Sequence, residues 1–429
     1  MRVAVIGGGK IGLPLAAQFA SCGAQVTVND INPAVVDAIN AGRAPFVEPE
    51  LDAKLAAAVA SESLRASPDT SQTVKECEAI VVVVPALLTP EHDIDWGNLV
   101  AASRAIAAGL RPGALVSYET TVPVGGTRSR LKPVLEESGL VAGRDFHLCF
   151  SPERVKSKHI FEHLTRTPKV VGGVNPQSAR RGAEFYGRYL GAETLSIGSL
   201  EAAEFVKLAG MIYRDVNIAL VNELAAYAEA LDLDGPAIFA AANTDNETAM
   251  LRPGIGVGGH CTPVYPYFLI RQAERLALPH GFASLARRVN EGQPAHELQR
   301  LSRTLNGLSG RRVHILGLGF RPDIKEHAFS PAFALRDALS RQGAHVTIED
   351  PLYDSQELTR HGFAVAAAGH DRLDAVVLNT AHKAFLDPDL AAWKASGIEA
   401  ALDGRNIWNP RRFADAGIAY LAVGVGSQV

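Results

Sequence analysis

Residues 2–12 read RVAVIGGGKIG, in which Gly7, Gly9 and Gly12 form the spacing GxGxxG between a predicted strand and a predicted helix. Asp30 ends the next strand-like run, QVTVND. Strand-like runs and alanine-rich helical stretches continue to alternate to about residue 190, through AIVVVV, ALVSYET, FHLCFSP and KVVGG. This alternation is the pattern of a doubly wound parallel sheet.

The glycine turn and Asp30 together predict a dinucleotide site. Gly7 permits the tight turn, Gly9 lets the backbone approach a pyrophosphate, and the helix N-terminus at Lys10, Ile11 and Gly12 faces its negative charge. The Asp30 carboxylate would accept hydrogen bonds from the adenosine ribose and repel a 2′-phosphate, which favours NAD over NADP. The alternative is a glycine turn that only packs a helix on a strand.

Composition excludes several classes of protein. The 429 residues carry a formal charge of -4, with 47% hydrophobic and 21% charged residues, so no overall positive field exists to bind nucleic acid or a membrane surface. The longest apolar runs have about ten residues, short of the ~20 that span a bilayer. The four cysteines, Cys22, Cys77, Cys149 and Cys261, lack the spacing of a zinc site or a disulfide framework. A cytoplasmic protein without a metal is expected.

The pattern changes twice along the chain. Residues 200–233 form one long helical stretch, and helical sequence continues to about residue 305. The strand and helix alternation restarts at Arg312 with VHILGLGF. We therefore predict an NAD-binding domain at 1–196, a helical central domain at 197–307 and a second α/β domain at 308–429. The long helix has more apolar surface than one domain can cover, which predicts a homodimer.

A second glycine-rich stretch, GIGVGGHC at 254–261, ends in Cys261. A cysteine in such a loop, close to the start of a helix, can be exposed and have its thiolate stabilised by main-chain N–H groups. Cys261 is therefore a candidate nucleophile, whereas the other three cysteines fit small buried hydrophobes. The alternative for Cys261 is the same inert role.

Seven motifs together resemble the UDP-glucose/GDP-mannose dehydrogenase family, in the same order and over nearly the whole chain. They are GxGxxG with Asp30, TTVPVGGT at 120–127, SPERV at 151–155, VVGG at 170–173, FVKLAGMIYRDVNIALVNE at 205–223, GVGGHC at 256–261 and GLGF at 317–320. The resemblance implies two Rossmann-like doubly wound parallel-sheet domains joined by a helical domain with a long central helix. It also implies oxidation of a nucleotide-sugar C6 alcohol to a carboxylate with two NAD+.

The resemblance also implies roles for single residues. Cys261 would carry a thiohemiacetal and then a thioester, Lys207 would stabilise the oxyanion, Glu153 would hold the hydrolytic water, and Thr121 would place that water or the sugar. The implied cofactor-binding residues are Gly7, Gly9, Lys10, Ile11, Gly12, Asp30, Val84, Pro85 and Glu119. The implied substrate-binding residues are Arg252, Gly258, Arg287, Asn290, Phe320 and Arg321.

Four positions depart from the family pattern. Met211 stands where an asparagine is usual, Tyr265 where an aspartate is usual, and Glu247 and Ala328 where arginines are usual. GVGGHC and YRDVNIALVNE resemble the branch that oxidises UDP-N-acetylhexosamines more than the UDP-glucose branch. The sugar and the base stay open at this point.

Two other functions also stay open. A related α/β plus helical architecture serves NAD-dependent alcohol and 3-hydroxyacid dehydrogenases, which make one hydride transfer and need no thiol. A non-catalytic nucleotide-sugar-binding protein is the second alternative, because the usual asparagine and aspartate are missing. Cys261 and the C-terminal α/β domain favour the dehydrogenase that uses two NAD+.

Overall fold

The computed structural model describes residues 1–369 and 371–426, and the chain forms two compact units. The N-terminal unit comprises Met1–Gly210 and Tyr267–Leu278, and the C-terminal unit comprises Met211–Pro266 and Pro279–Val429. The helical segment predicted at 197–307 is thus divided between the two units. The division into three domains stays a prediction.

The N-terminal unit is built on an eight-stranded sheet with the order β10-β9-β8-β7-β4-β1-β2-β3. All neighbouring strands are parallel except β8 and β9. A separate hairpin pairs β5 with β6. The strands are β1 (Arg2–Ile6), β2 (Gln25–Asn29), β3 (Leu64–Ser67), β4 (Ala79–Val82), β5 (Leu87–Leu88), β6 (Ile94–Asp95), β7 (Leu115–Tyr118), β8 (His147–Phe150), β9 (Lys169–Gly173) and β10 (Thr194–Ser199).

Helices connect the strands of this sheet. They are α1 (Gly12–Ser21), α2 (Pro33–Asn40), α3 (Leu51–Ala60), α4 (Thr70–Glu76), α5 (Gly97–Ala107), α6 (Lys132–Glu136), α7 (Ile160–Arg166) and α8 (Pro176–Leu190), with a π-helical turn at Thr127–Leu131. Because α1 packs on the sheet, Leu13, Leu15 and Phe19 are buried against Val3 and Val5 of β1. The strand order reverses between β1 and β4, and in such sheets ligands bind at the carboxyl ends of the strands on either side of that point.

Four helices form the sequence predicted as helical. They are α9 (Leu200–Ala230), α10 (Gly235–Ala242), α11 (Tyr265–Arg275) and α12 (Gly281–Thr304). The predicted long helix is thus present as α9 and ends three residues before the predicted boundary at 233. In the part of the chain that the structure describes, no helix is long and apolar enough to cross a membrane.

The C-terminal unit contains a six-stranded parallel sheet with the order β13-β12-β11-β14-β15-β16, whose order reverses between β11 and β14. This second doubly wound sheet confirms the predicted fold class. The strands are β11 (Arg312–Leu316), β12 (His345–Glu349), β13 (Ala364–Val365), β14 (Ala375–Leu378), β15 (Ala400–Asp403) and β16 (Ala419–Ala422). The helices are α13 (Pro331–Arg341), α14 (Ser355–Arg360), α15 (Leu390–Ser396) and α16 (Pro410–Asp415), with a 3-10 turn at Lys383–Phe385.

The four cysteines are in no disulfide and differ in burial. Burial raises the pKa of the Cys77 thiol to about 11 and that of Cys149 to about 12. These two thiols are therefore protonated and unreactive near neutral pH. Cys261 is half-buried in its loop.

Candidate active site

The glycine turn after β1 leaves room for a dinucleotide. Gly7 has φ +108°, which a residue with a Cβ rarely adopts, and a Cβ at Gly12 would lie 1.9 Å from the Gly7 carbonyl oxygen. In contrast, a Cβ at Gly9 would meet no described atom within 4 Å. Ile11 precedes α1 and provides no side-chain cap. The open backbone at Gly9 and the uncapped N-terminus of α1 fit the pyrophosphate of NAD.

Asp30 holds this turn through its carboxylate. Oδ2 accepts a hydrogen bond from the Gly8 N–H at 2.9 Å, and Oδ1 accepts one from the Asn32 N–H at 2.9 Å. Asp30 therefore lies at the carboxyl end of β2, beside the glycine turn, where a ribose would be bound in this fold.

We expect Asp30→Ala to weaken NAD binding by about 1–3 kcal/mol, the scale of a charged hydrogen bond, and to narrow the preference for NAD over NADP. Titration of both cofactors by fluorescence or calorimetry measures this effect. Asp37→Ala on the exposed face of α2 is the matched control and should bind NAD like the unaltered protein. Unchanged NAD affinity in Asp30→Ala would contradict the assignment.

The other predicted cofactor residues follow β4 and β7. Val84 is half-buried and Pro85 is exposed just beyond β4, and the Thr120 hydroxyl donates a hydrogen bond to the Val84 carbonyl at 2.6 Å. Glu119 has a different environment from the one expected.

The Glu119 side chain lies inside the protein. Its Oε2 is 2.5 Å from the Lys169 ammonium and its Oε1 accepts a hydrogen bond from the Tyr186 hydroxyl at 2.8 Å. The side chain is 1% exposed. Both oxygens are thus bound by protein groups, and the predicted contact of Glu119 with the cofactor stays a prediction. Its carboxylate ties β7 to β9 and α8.

Two residues with predicted catalytic roles meet in the N-terminal unit. The Lys207 ammonium on α9 donates to the Glu153 main-chain carbonyl at 2.5 Å and lies 3.4 Å from Glu153 Oε2. The two side chains are 5% and 16% exposed. The Val155 N–H also donates to Glu153 Oε1. The Lys207 ammonium and the Glu153 carboxylate thus lie together with little contact with solvent. A cation held away from water in this way can stabilise an oxyanion formed at a carbonyl group.

Glu204, which the motifs did not single out, organises the loop that contains Thr121. Its carboxylate accepts hydrogen bonds from the main-chain N–H groups of Gly125 at 2.5 Å and Thr127 at 2.9 Å. Burial raises the pKa of Glu204 to about 7. Thr121 itself is buried in this loop, just beyond β7. The only signal in the sequence is an acidic residue in an apolar stretch, one turn before Lys207.

The C-terminal unit has a cavity of about 380 Å³ lined by four arginines. Among the residues that the structure describes, no aspartate or glutamate lines it, so the cavity is positively charged although the whole chain is negative. Arginine guanidinium groups bind phosphate oxygens through paired hydrogen bonds. The lining residues are Arg214, Ile218, Leu251, Arg252, Gly254, Gly256, Val257, Gly258, Thr262, Phe320, Arg321 and Arg405.

The glycine loop that precedes Cys261 packs on the Phe320 ring. A Cβ at Gly258 would lie 2.5 Å from Phe320 Cβ, so only glycine fits there. The Gly259 N–H donates to the Ala328 carbonyl at 2.8 Å, and the Arg321 guanidinium carbon lies 5.3 Å from the centre of the Phe320 ring. The loop thus holds Cys261 beside the arginine-lined cavity, just before α11.

Comparison with known families explains the pair of α/β units. Residues 1–190 match the NAD binding domain of the UDP-glucose/GDP-mannose dehydrogenase family, residues 201–292 its central domain and residues 314–410 its UDP binding domain. The chain belongs to this family. The resemblance, the NAD cofactor and the UDP-sugar class of substrate predicted from the sequence are thereby confirmed, and the protein is an NAD-dependent UDP-sugar dehydrogenase.

Relatives with known names match over almost their full length. A UDP-N-acetyl-D-mannosamine dehydrogenase of Pyrococcus horikoshii is 32% identical over 95% of this chain and 96% of that protein. An NDP-N-acetyl-D-galactosaminuronic acid dehydrogenase of Ralstonia nicotianae is 30% identical over 96% of this chain and 97% of that protein. The solved structure of a UDP-D-ManNAc dehydrogenase from P. horikoshii matches with a TM-score of 0.89 at 31% identity and covers 99% of both chains.

Two arginines of the cavity were not among the predicted site residues, although Arg214 lies inside the quoted motif at 205–223. Arg405 follows β15, and its Nε donates to the Asn379 carbonyl at 2.7 Å. Burial lowers the pKa of the Arg405 guanidinium to about 10. Arg214 lies on α9, inside a helical pattern that gives no sign of a pocket. A cation just beyond a strand of a parallel sheet was the available signal for Arg405.

Arg287 and Asn290 lie in a buried network and are not part of the cavity wall. The Arg287 guanidinium forms two hydrogen bonds of 2.7 Å with the Asp215 carboxylate, and the Asn290 amide donates to Asp215 Oδ1 at 2.8 Å. This network ties α12 to α9. The side chains hold two helices together, and their predicted contact with substrate stays a prediction.

Within residues 1–369 and 371–426, one group of side chains has the composition of a metal site. Ligand atoms of Glu229, His296 and Glu297 lie within 4.8 Å of one another. However, the Arg300 guanidinium lies 2.8 Å from both carboxylates. Burial raises the pKa of Glu297 to about 7. Since Arg300 already supplies the positive charge, we assign the group to helix packing.

Proposed function

We propose that the protein oxidises the C6 alcohol of a UDP-N-acetylhexosamine to the uronic acid, with Cys261 as the covalent nucleophile. The arginine-lined cavity beside the Cys261 loop carries this proposal, because it provides charge for a diphosphate next to a thiol. The names of the relatives and the motifs GVGGHC and YRDVNIALVNE support an N-acetylated sugar.

The proposed reaction has two oxidations and one hydrolysis. NAD+, when bound, accepts one hydride from C6 in each oxidation. Cys261 Sγ adds to the C6 aldehyde that the first oxidation leaves, and the second oxidation converts this thiohemiacetal into a thioester. Water then cleaves the C–S bond, which releases the carboxylate and the thiol. Lys207 stabilises the C6 oxyanion, Glu153 takes the proton of the attacking water, and Thr121 positions that water.

The stoichiometry of NADH formation tests this proposal. We expect two NADH and one uronate per sugar with UDP-N-acetylmannosamine or UDP-N-acetylgalactosamine, and less turnover with UDP-glucose, GDP-mannose and TDP-glucose. One NADH per sugar would instead support the single-hydride dehydrogenase. Binding without any NADH would support the non-catalytic alternative.

We also propose a homodimer formed through α9. Tyr213, Leu220 and Tyr227 are 61%, 47% and 63% exposed and lie seven residues apart, which places them on one face of the helix. Leu231 extends the same face and is 65% exposed. A second copy of this apolar face is the occupant that a closed two-fold dimer requires.

A cytoplasmic location stays a prediction.

We expect the double variant Leu220→Asp, Tyr227→Asp to sediment as a monomer, because two carboxylates cannot be buried in an apolar interface without a partner. Both side chains are exposed in the single chain, so folding should be kept. Gln356→Asp on the exposed side of α14 is the control and should remain a dimer. A monomer of the unaltered protein at all concentrations would refute the proposal.

A further inference from the structure

Arg214 stands apart from the other cavity arginines in its position. It lies on α9 one turn after Met211, whereas Arg252, Arg321 and Arg405 lie in loops of the C-terminal unit. Burial and the neighbouring Arg321 guanidinium lower the pKa of Arg214, and the Cys261 thiolate raises it. Arg214 is therefore within electrostatic reach of both Arg321 and the nucleophile.

The charge in the cavity exceeds what a UDP-sugar needs. A diphosphate ester carries two negative charges at neutral pH, while the cavity has four guanidinium groups. Among the described residues, Asp403 acts electrostatically on Arg405, whose guanidinium also donates to the main-chain carbonyls of Asn379 and Gly256. Neighbouring guanidinium groups repel one another, and a bound anion relieves this repulsion. The cavity therefore has cations enough for a negative charge besides the diphosphate, and Gly258 and Thr262 of the Cys261 loop belong to its lining.

The product of the proposed reaction supplies that charge. Hydrolysis of the thioester leaves a carboxylate at C6, the atom to which Cys261 Sγ was bound. Met211 and Tyr265, which replace the usual asparagine and aspartate, carry no charge, so the cations that this carboxylate can meet are Lys207 and the cavity arginines. A guanidinium can bind both oxygens of a carboxylate with two parallel hydrogen bonds.

We propose that Arg214 is the residue that binds the C6 carboxylate of the uronate product, while Arg252, Arg321 and Arg405 bind the diphosphate. The identity of the anion rests on the proposed function. The assignment makes Arg214 a determinant of product affinity, which separates it from the three diphosphate residues.

The alkylation of Cys261 tests this assignment without turnover. Iodoacetate and iodoacetamide both alkylate the thiolate and release iodide, and they differ only in a carboxylate against a neutral amide. The ratio of their rates is therefore independent of the thiol pKa. Arg214 would hold the carboxylate of iodoacetate beside Sγ. We therefore expect the rate with iodoacetate divided by the rate with iodoacetamide to fall about 10-fold in Arg214→Gln, the scale of a charged hydrogen bond. The same ratio should recover partly in Arg214→Lys.

Arg341→Gln is the control for net charge. Arg341 is exposed at the end of α13, so this variant should keep the ratio of the unaltered protein. An unchanged ratio in Arg214→Gln would overturn the assignment. An equal fall in Arg341→Gln would mean that the ratio reports only overall charge, and would also overturn it.

A second measurement separates the carboxylate from the diphosphate. UDP-glucose and UDP-glucuronate differ only in the oxidation state of C6, and calorimetry gives both affinities. We expect Arg214→Gln to weaken UDP-glucuronate by about 10-fold with little change for UDP or UDP-glucose. Equal loss for all three would instead place Arg214 on the diphosphate. If the unaltered protein forms no NADH, the proposed function fails, while both measurements still test Arg214.

Discussion

Cys261→Ala is expected to form uronate at least about 10³-fold more slowly than the unaltered protein, the scale of losing a covalent nucleophile. Without Sγ no thioester forms, so at most one NADH per sugar should appear on the time scale of normal turnover. Mass spectrometry of the uronate and absorbance of NADH measure both quantities. Nucleotide-sugar binding should persist, because the Gly259 N–H and the Phe320 ring, which hold the loop, are unchanged in this variant.

Two further variants locate the step at which the reaction stops. Cys261→Ser should give a burst of NADH with little turnover, because an oxygen ester forms and is released slowly. Glu153→Gln should slow hydrolysis and let the thioester on Cys261 accumulate, which raises the mass of the intact protein. Normal uronate formation by Cys261→Ala would defeat the thioester mechanism and would favour a dehydrogenase without a nucleophile.

Lys207→Met is expected to lower kcat by about 10²–10³-fold, the usual effect of losing one oxyanion donor. The effect should be at the upper end of this range because Met211 cannot donate a hydrogen bond to the same oxyanion. KM for the sugar should change little, since the C6 oxyanion exists in the intermediates and not in the bound substrate. Steady-state kinetics at saturating NAD+ and varied sugar concentration measure kcat and KM separately.

Lys132→Met is the matched control for Lys207→Met. Lys132 also forms an ion pair with a glutamate, Glu136, at 3.0 Å in the N-terminal unit. Its loss removes a lysine and an ion pair but should leave kcat unchanged. If Lys207→Met keeps the kcat of the unaltered protein, Lys207 has only the structural role of holding the Glu153 main chain.

The fold and the cofactor site were readable because their signals are local. A turn that requires φ +108° at Gly7 and has no room for a Cβ at Gly12 accepts only glycine, so the spacing appears directly in the sequence. The strands at the centres of the two sheets are also readable, because each is buried on both faces and therefore appears as a contiguous apolar run. Asp30 follows its strand directly, and its place beside the turn could be predicted.

The roles of the charged residues depended on partners far away in the chain. Arg287 was predicted to contact substrate, and in the structure Asp215, 72 residues earlier, accepts hydrogen bonds from its Nε and Nη2. Glu119 was predicted to contact the cofactor, but Lys169, 50 residues later, holds its carboxylate. A charged side chain binds the opposite charge that the fold brings close to it. The distance between two such groups depends on the tertiary structure and is not encoded in neighbouring residues.

The arginine-lined cavity contains charged residues whose shared role could not be predicted from the sequence. Arg214 and Arg405 are 191 positions apart and lie on a helix and a strand end that no motif connects. Sequence patterns determine which residues fold into a helix or a strand, because backbone hydrogen bonding and burial act over a few residues. Which cations face one cavity is decided by the packing of those elements, since electrostatic interactions act through space between residues that are distant in the chain.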